Sequence, residues 1–92
     1  MIGENTRYRV IPYADRIGAS YYKPRSTEEF RHNWLRNNQR WIRQQMSKGK
    51  EIVDIGPDVA RRQTRGASEY YEMERQEILS REYPFYRWEP KP

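Results

Sequence analysis

Between Ser26 and Gly49 the chain carries its strongest local signal, an amphipathic helix with both ends marked. Ser26 can accept from the first turn's backbone while Glu29, three residues on, reaches back, the reciprocal pattern of a capping box. Apolar residues then recur at Phe30, Trp34, Leu35, Trp41, Ile42 and Met46, which places them on one helical face. Lys48 suits the negative end of the helix, and Gly49 suits the stop. The spacing predicts a helix from about Thr27 to Lys48. It has little to pack against, because only 35% of the 92 residues are hydrophobic and 34% are charged. Aromatic residues, 14% of the chain, compensate by burying a large area each.

The remaining segments are shorter. Residues 1–6 are polar and are expected to fray, as are residues 89–92, where the last prolines lie. Arg7 to Tyr13 has strand character, with Pro12 marking an edge or an end. Ala14 to Arg25 reads as a loop anchored by aromatics. Ile52-Val53-Asp54-Ile55 is a short strand run into a Gly56-Pro57 turn, and Pro57-Asp58 can open a short helix through Arg62. Ser68 is a cap for a helix over Glu69 to Leu79. Tyr83 to Trp88 is dense in aromatics and can add an edge strand. The expected architecture is a single small α+β domain over residues 1–92. In it, one long and one short amphipathic helix pack on a small antiparallel sheet built near Arg9, Val53 and Phe85.

Composition removes several chemistries. Without cysteine there is no disulfide framework and no thiolate metal site, and His32 is the single histidine. No apolar run approaches the ~20 residues that span a bilayer, and no hydrophobic leader follows Met1. The net charge of +5, from 18 Lys and Arg against 13 Asp and Glu, favours nucleic acid, an anionic surface or an acidic protein partner.

Two constellations carry chemistry. His32, Arg36, Arg40 and Arg43, spaced by four, four and three, form a basic stripe on the long helix, flanked by Asn33 and Asn37. The stripe is either a polyanion-binding surface or a solvated face. Asp54 and Asp58, with Glu72, Glu74 and Glu77 from the following helix, can form a carboxylate cluster for magnesium, which takes oxygen ligands. The plainer alternative pairs Asp54 with Arg61 or Arg62 and leaves Asp58 as a helix cap. His32 is suited by its pKa to general acid–base work. Arg75, beside Tyr70-Tyr71, is suited to charge stabilisation at a phosphate, and the same segment is otherwise an ordinary amphipathic helix. No serine sits in a nucleophile elbow, and no glycine pattern makes a phosphate loop.

The order of these pieces resembles the C-terminal toxin modules of bacterial polymorphic toxins, including those carried by Rhs-repeat and contact-dependent delivery proteins. The likeness covers Trp34 to Tyr83 and rests on three segments: the helix with Trp41-Ile42 and Met46, then Ile52 to Asp58 with Arg61-Arg62, then Ser68 with Tyr71 and Met73-Glu74-Arg75. It implies a domain delivered at the end of a larger effector into a target-cell cytoplasm and neutralised by a cognate immunity protein. Its expected activity is cleavage of RNA or DNA. The matched positions are Asp54, Asp58, Arg61, Arg62, Glu74 and Arg75; with His32 added from its own chemistry, the expected catalytic set is Asp54, Asp58, Glu74, Arg75 and His32, with Asp54 and Asp58 holding the metal. Arg36, Arg40, Arg43, Arg61 and Arg62 would hold the phosphate backbone. The alternative is a non-catalytic basic binding module for nucleic acid or an acidic protein. A third is an interaction domain that docks through its aromatic tail. The chain lacks both the Glu-x-Lys element of restriction-endonuclease-like toxins and a paired-histidine arrangement.

Overall fold

The structure is a computed structural model and describes residues 1–23 and 33–89. In chain order, a π-helical turn over Thr6–Val10 runs into α1 (Ile11–Ile17), followed by α2 (Trp34–Ser47) and β1 (Ile52–Asp54). Then come α3 (Val59–Arg65), α4 (Glu69–Ser80) and β2 (Phe85–Arg87). The mixed α+β class is as expected. No helix among the described residues is long and apolar enough to cross a membrane.

The sheet runs the other way from expectation. β1 and β2 are parallel, with Ile52 opposite Phe85, Val53 opposite Tyr86 and Asp54 opposite Arg87. The reason is topological: residues 55–84 carry two helices, so the chain crosses over and re-enters the sheet from the same end rather than turning back in a hairpin. On the other side of β1, Ile2 forms a parallel bridge to Asp54; its N–H donates to the Val53 carbonyl at 2.8 Å, and its carbonyl accepts from Ile55 at 3.0 Å.

Two further expectations are corrected at the N-terminus. Residues 1–6 do not fray as a unit, since Met1, Ile2, Gly3 and Glu4 are all buried. Residues 7–13 are helical rather than a strand. Pro12 sits in the first turn of α1, where its missing N–H has no helical partner to lose. Val10 and Ala14 both reach the core while Pro12 between them is exposed, which a helix allows and a strand, with all three on one face, does not. Gly18 ends α1 in the left-handed conformation, φ 69°.

Alternation along β1 divides the interior in two. Ile52 packs with Ile2, Ile42, Met46, Tyr71 and Ile78, where α2 and α4 meet. Val53 and Ile55 face the opposite side, against Met1, Val10, Ala14 and Trp88. The predicted long helix is seen over Trp34–Ser47, and Gly49 follows its end as the sequence indicates. Its Thr27–His32 portion, with the Ser26–Glu29 capping box and Phe30, lies outside the described residues, as do residues 90–92. Ile42 and Met46 are buried as expected, whereas Leu35 is exposed.

One buried acid joins the N-terminal segment to both short helices. Glu4, fully buried, accepts at Oε1 from the Asp58 N–H (2.9 Å) and from Arg62 Nε (2.8 Å), and at Oε2 from the Ser68 N–H (2.8 Å). Asp58 and Ser68 are the N-caps of α3 and α4, so a single carboxylate lies at two helix N-termini, where backbone dipoles favour negative charge. Burial pushes the Glu4 carboxyl up, but the Arg62 bond and the two N–H donors outweigh it and hold the group below its usual range. Removing one partner of such a pair leaves the other desolvated and unmatched. Glu4→Ala is therefore expected to lower unfolding free energy by about 3 kcal/mol in urea titration. Glu4→Gln, which keeps the shape and an acceptor oxygen, should lose less; equal losses for the two variants would contradict this assignment.

Candidate functional site

The two aspartates expected to form a catalytic or metal-binding pair are built into the frame. Asp54 is 1% exposed. Its Oδ1 accepts from the Gly56 N–H and from the Tyr71 hydroxyl, both at 2.8 Å, and its Oδ2 faces Arg87 at 3.7 Å. Gly56 adopts φ 83°, and a Cβ there would strike the Arg87 guanidinium, so the turn both requires glycine and admits the arginine to the acid. Asp58 caps α3, accepting from the Arg61 N–H at 3.2 Å and from Asn5 Nδ2 at 2.9 Å. The Asn5 bond leads in holding its carboxyl below the usual range. The expected cap is present, but the expected partner of Asp54 is replaced: Tyr71 and Arg87 match it, and Arg61 and Arg62 do not.

The broader carboxylate cluster separates into individually matched acids. Glu72 pairs with Arg62 at 2.7 Å. Glu77, buried on α4, accepts from Arg43 through both oxygens (2.8 and 3.1 Å), from Gln39 at 2.6 Å, and from Arg81. The Arg43 bonds are the main reason its carboxyl lies below the usual range. Among the described residues no three acidic or histidine side chains come together as a metal-holding group. Magnesium asks for open octahedral positions and bound water; Asp54 offers neither, with Oδ1 already accepting twice and the side chain sealed. The acids present do not fit the ion, and no chemical step is assigned to it.

The expected basic set divides in a similar way. Arg43 is committed to Glu77, Arg62 to Glu4 and Glu72, and Arg61 to the Gly66 carbonyl at 2.8 Å. Arg75 lies over the Tyr71 ring at 5.8 Å. His32 falls outside the described residues. Arg36 and Arg40 remain, both exposed on α2 and in no ion pair among the described residues.

Glu74 is the exception among the acids. It is 6% exposed on the buried side of α4, one helical turn from Tyr71 and Ile78, and no arginine among the described residues pairs with it. Burial drives its carboxyl up to about 8; the Met1 amino group opposes the shift, the negative charge of Asp54 adds to it, and a hydrogen bond with Asn38 opposes it. Asn38, itself buried in α2, keeps its Oδ1 without a hydrogen-bond partner. Both side chains line a small cavity of about 20 Å³ walled by Tyr21, Tyr22, Trp34, Ser68 and Tyr70. That is room for about one water, which Glu74 and the Asn38 carbonyl oxygen would both engage.

Outside this cavity, and sharing Tyr21 and Tyr22 with it, a groove of about 480 Å³ runs along α2. Lys23, Asn37, Arg40, Trp41 and Gln44 complete its walls. The elements that matter here are therefore α4, which carries the proton-holding acid, and α2, which carries the exposed cations. Sequence reasoning singled out Glu74, Arg36 and Arg40 but passed over Asn38, Tyr22 and Trp41. The missed signal was the i, i+3, i+4, i+7 run Asn37, Arg40, Trp41 and Gln44, polar residues around an indole on one stripe of the helix. Comparison of the chain with protein-family models, with curated proteins and with solved structures finds no match.

The proton on Glu74 has a stability consequence with a definite sign. Between the ordinary carboxyl range and about pH 8 the folded protein keeps a proton that the unfolded chain gives up, so stability falls as pH rises through that window and levels off above it. Glu4, Asp58 and Glu77, whose carboxyls are depressed, act oppositely and only in acid. The Met1 amino group, lowered by burial, titrates nearby with the opposite sign, so the readout is the difference between two proteins. Urea midpoints for wild type and Glu74→Gln should diverge progressively from about pH 5 to about pH 8, the variant being the more stable at the upper end. Parallel curves would mean that Glu74 is not protonated in the folded state.

Proposed function

We propose that this chain is a toxin-type domain that binds and cleaves nucleic acid, delivered as the end module of a larger effector and restrained by an immunity protein. One observation carries the proposal. The acid that holds its proton near neutral pH, Glu74, lies in a cavity sharing a tyrosine wall with the basic, aromatic groove of α2. Arg36 and Arg40, exposed and without acidic partners among the described residues, supply the attraction for phosphate. Glu74 supplies the proton: an acid with pKa near 8 is largely protonated at neutral pH and suits general-acid work on a leaving oxygen, through the one water its cavity admits. Asp54, Asp58, Arg61 and Arg62 hold the frame and take no part in the chemistry.

A second reading, a binding module without turnover, draws on the same exposed arginines and is favoured by the burial of Glu74, which keeps it from direct contact with a phosphate. Labelled RNA and DNA incubated with the purified domain separate the two readings. Glu74→Gln is expected to lower the cleavage rate by about 100-fold or more while leaving binding within a few-fold. Asp58→Asn, which preserves a helix cap, is expected to leave cleavage within a few-fold. Salt-dependent binding without turnover by the wild-type protein would establish the binding module, and full activity of Glu74→Gln would remove Glu74 from the chemistry.

A further inference from the structure

We infer that the groove along α2 is a seat for one unpaired nucleotide, so that the domain engages single-stranded rather than duplex nucleic acid. This rests on the nucleic-acid reading above and goes further in naming the form of the strand.

Three features of the groove point the same way. Its volume, about 480 Å³, lies in the range of sites that enclose a small molecule. Its wall is aromatic and held in place: the partly buried Tyr22 ring packs 6.2 Å from Trp41 and 6.4 Å from Trp34, so Trp41 and Tyr22 brace one another. Trp41 also packs against the core between α2 and α4, which fixes the indole without covering the groove. Its remaining lining is polar and graded by position. Gln44, exposed on α2, carries an amide that can both donate and accept, as a base edge requires. Lys23 and Arg40, exposed at the rim, make no ion pair among the described residues and are placed for phosphate.

A duplex cannot use such a seat. Its bases present only their edges in the grooves, their faces being stacked on one another, whereas an unpaired base can lay its face on an aromatic ring. An acidic protein segment would satisfy Lys23 and Arg40 but has no use for an indole wall flanked by amides. Core packing alone would explain Trp41, but it leaves the two exposed cations of the groove, Lys23 and Arg40, and the polar run on α2 unaccounted for.

The test uses the whole chain and a fluorescently labelled oligouridylate of ~12 nucleotides, with the same length of RNA duplex and a poly-glutamate peptide as comparators. Anisotropy is read at two salt concentrations, and cleavage is followed on gels in the same tubes. Tighter binding to the single strand than to the duplex by about tenfold or more is expected, together with quenching of tryptophan emission that Trp41→Phe reduces. The double variant Lys23→Ala, Arg40→Ala lies on exposed positions and should retain the fold by circular dichroism. It should weaken single-strand binding by about tenfold and flatten its salt dependence. Equal affinity for single strand and duplex would overturn the seat, as would poly-glutamate binding as tight as RNA. Single-strand binding without cleavage would keep the seat and sink the nuclease proposal. Cleavage that ignores strandedness would do the reverse, and absence of any binding would remove both.

Discussion

The contact that most of this structure depends on is the buried carboxylate of Glu4. It joins the N-terminal segment to three points 54 to 64 residues further on: the turn at Asp58, Arg62 of α3 and the Ser68 cap of α4. Each donor alone is an ordinary hydrogen bond. Together they satisfy a charge that would otherwise be intolerable in the interior, and they fix where α4 begins relative to β1. The Tyr71 hydroxyl meets Asp54 only because that start is fixed, and Asp54 in turn holds the Gly56 turn from which α3 departs. Ile2, two residues upstream of Glu4, completes the sheet on the other side of β1. A segment that looks dispensable by composition is thus tied into the sheet and both short helices.

How much of this the residues announce depends on whether the information is local. Ser68 as a cap, Asp58 as a cap, the α4 span and the end of α2 at Gly49 were all legible, because each is decided within a few residues. The β1 alternation was legible too, since Ile52 and Val53 do face different interiors. The parallel pairing of β1 with β2 was not, because strand direction depends on what the intervening chain does and not on the strands themselves. The segment from Arg7 to Tyr13 misled for another reason. Aromatic and β-branched residues there favour a strand, while the decisive pair, Val10 and Ala14, extends past the window in which the strand pattern was seen.

For the candidate site, the residue types were legible and their company was not. The buried charged side chains are Glu4, Asp54, Glu74 and Glu77, all acids, whereas the arginines that neutralise three of them keep part of their surface in solvent. With these four acids inside and their arginines partly in solvent, the surface of a chain of net charge +5 is more basic than an even spread of the same charges would make it. Of the expected phosphate-binding set, Arg36 and Arg40 are the exposed cations without an acidic partner among the described residues, and Lys23 lines the same groove as Arg40. The buried acids serve the frame, with one exception.

The exception is instructive beside its neighbour on the helix. Glu74 and Glu77 lie three residues apart on the same helix and are buried to nearly the same degree, 6% and 7% exposed. Glu77 meets Arg43, Gln39 and Arg81, and its carboxyl is held below the usual range. Glu74 meets an asparagine, a distant aspartate and a water-sized space, and is driven up to about 8. Glu74 is driven up first by its burial, whereas at Glu77 the Arg43 hydrogen bond outweighs burial, so depth and the guanidinium act together in separating the two. A protein selecting only for stability would be expected to place an apolar residue or a matched pair at position 74, since an unmatched buried acid weakens the fold at neutral pH. In the proposed function that cost has a purpose, because Glu74 sits beside the tyrosine wall of the α2 groove, where a retained proton would serve the chemistry.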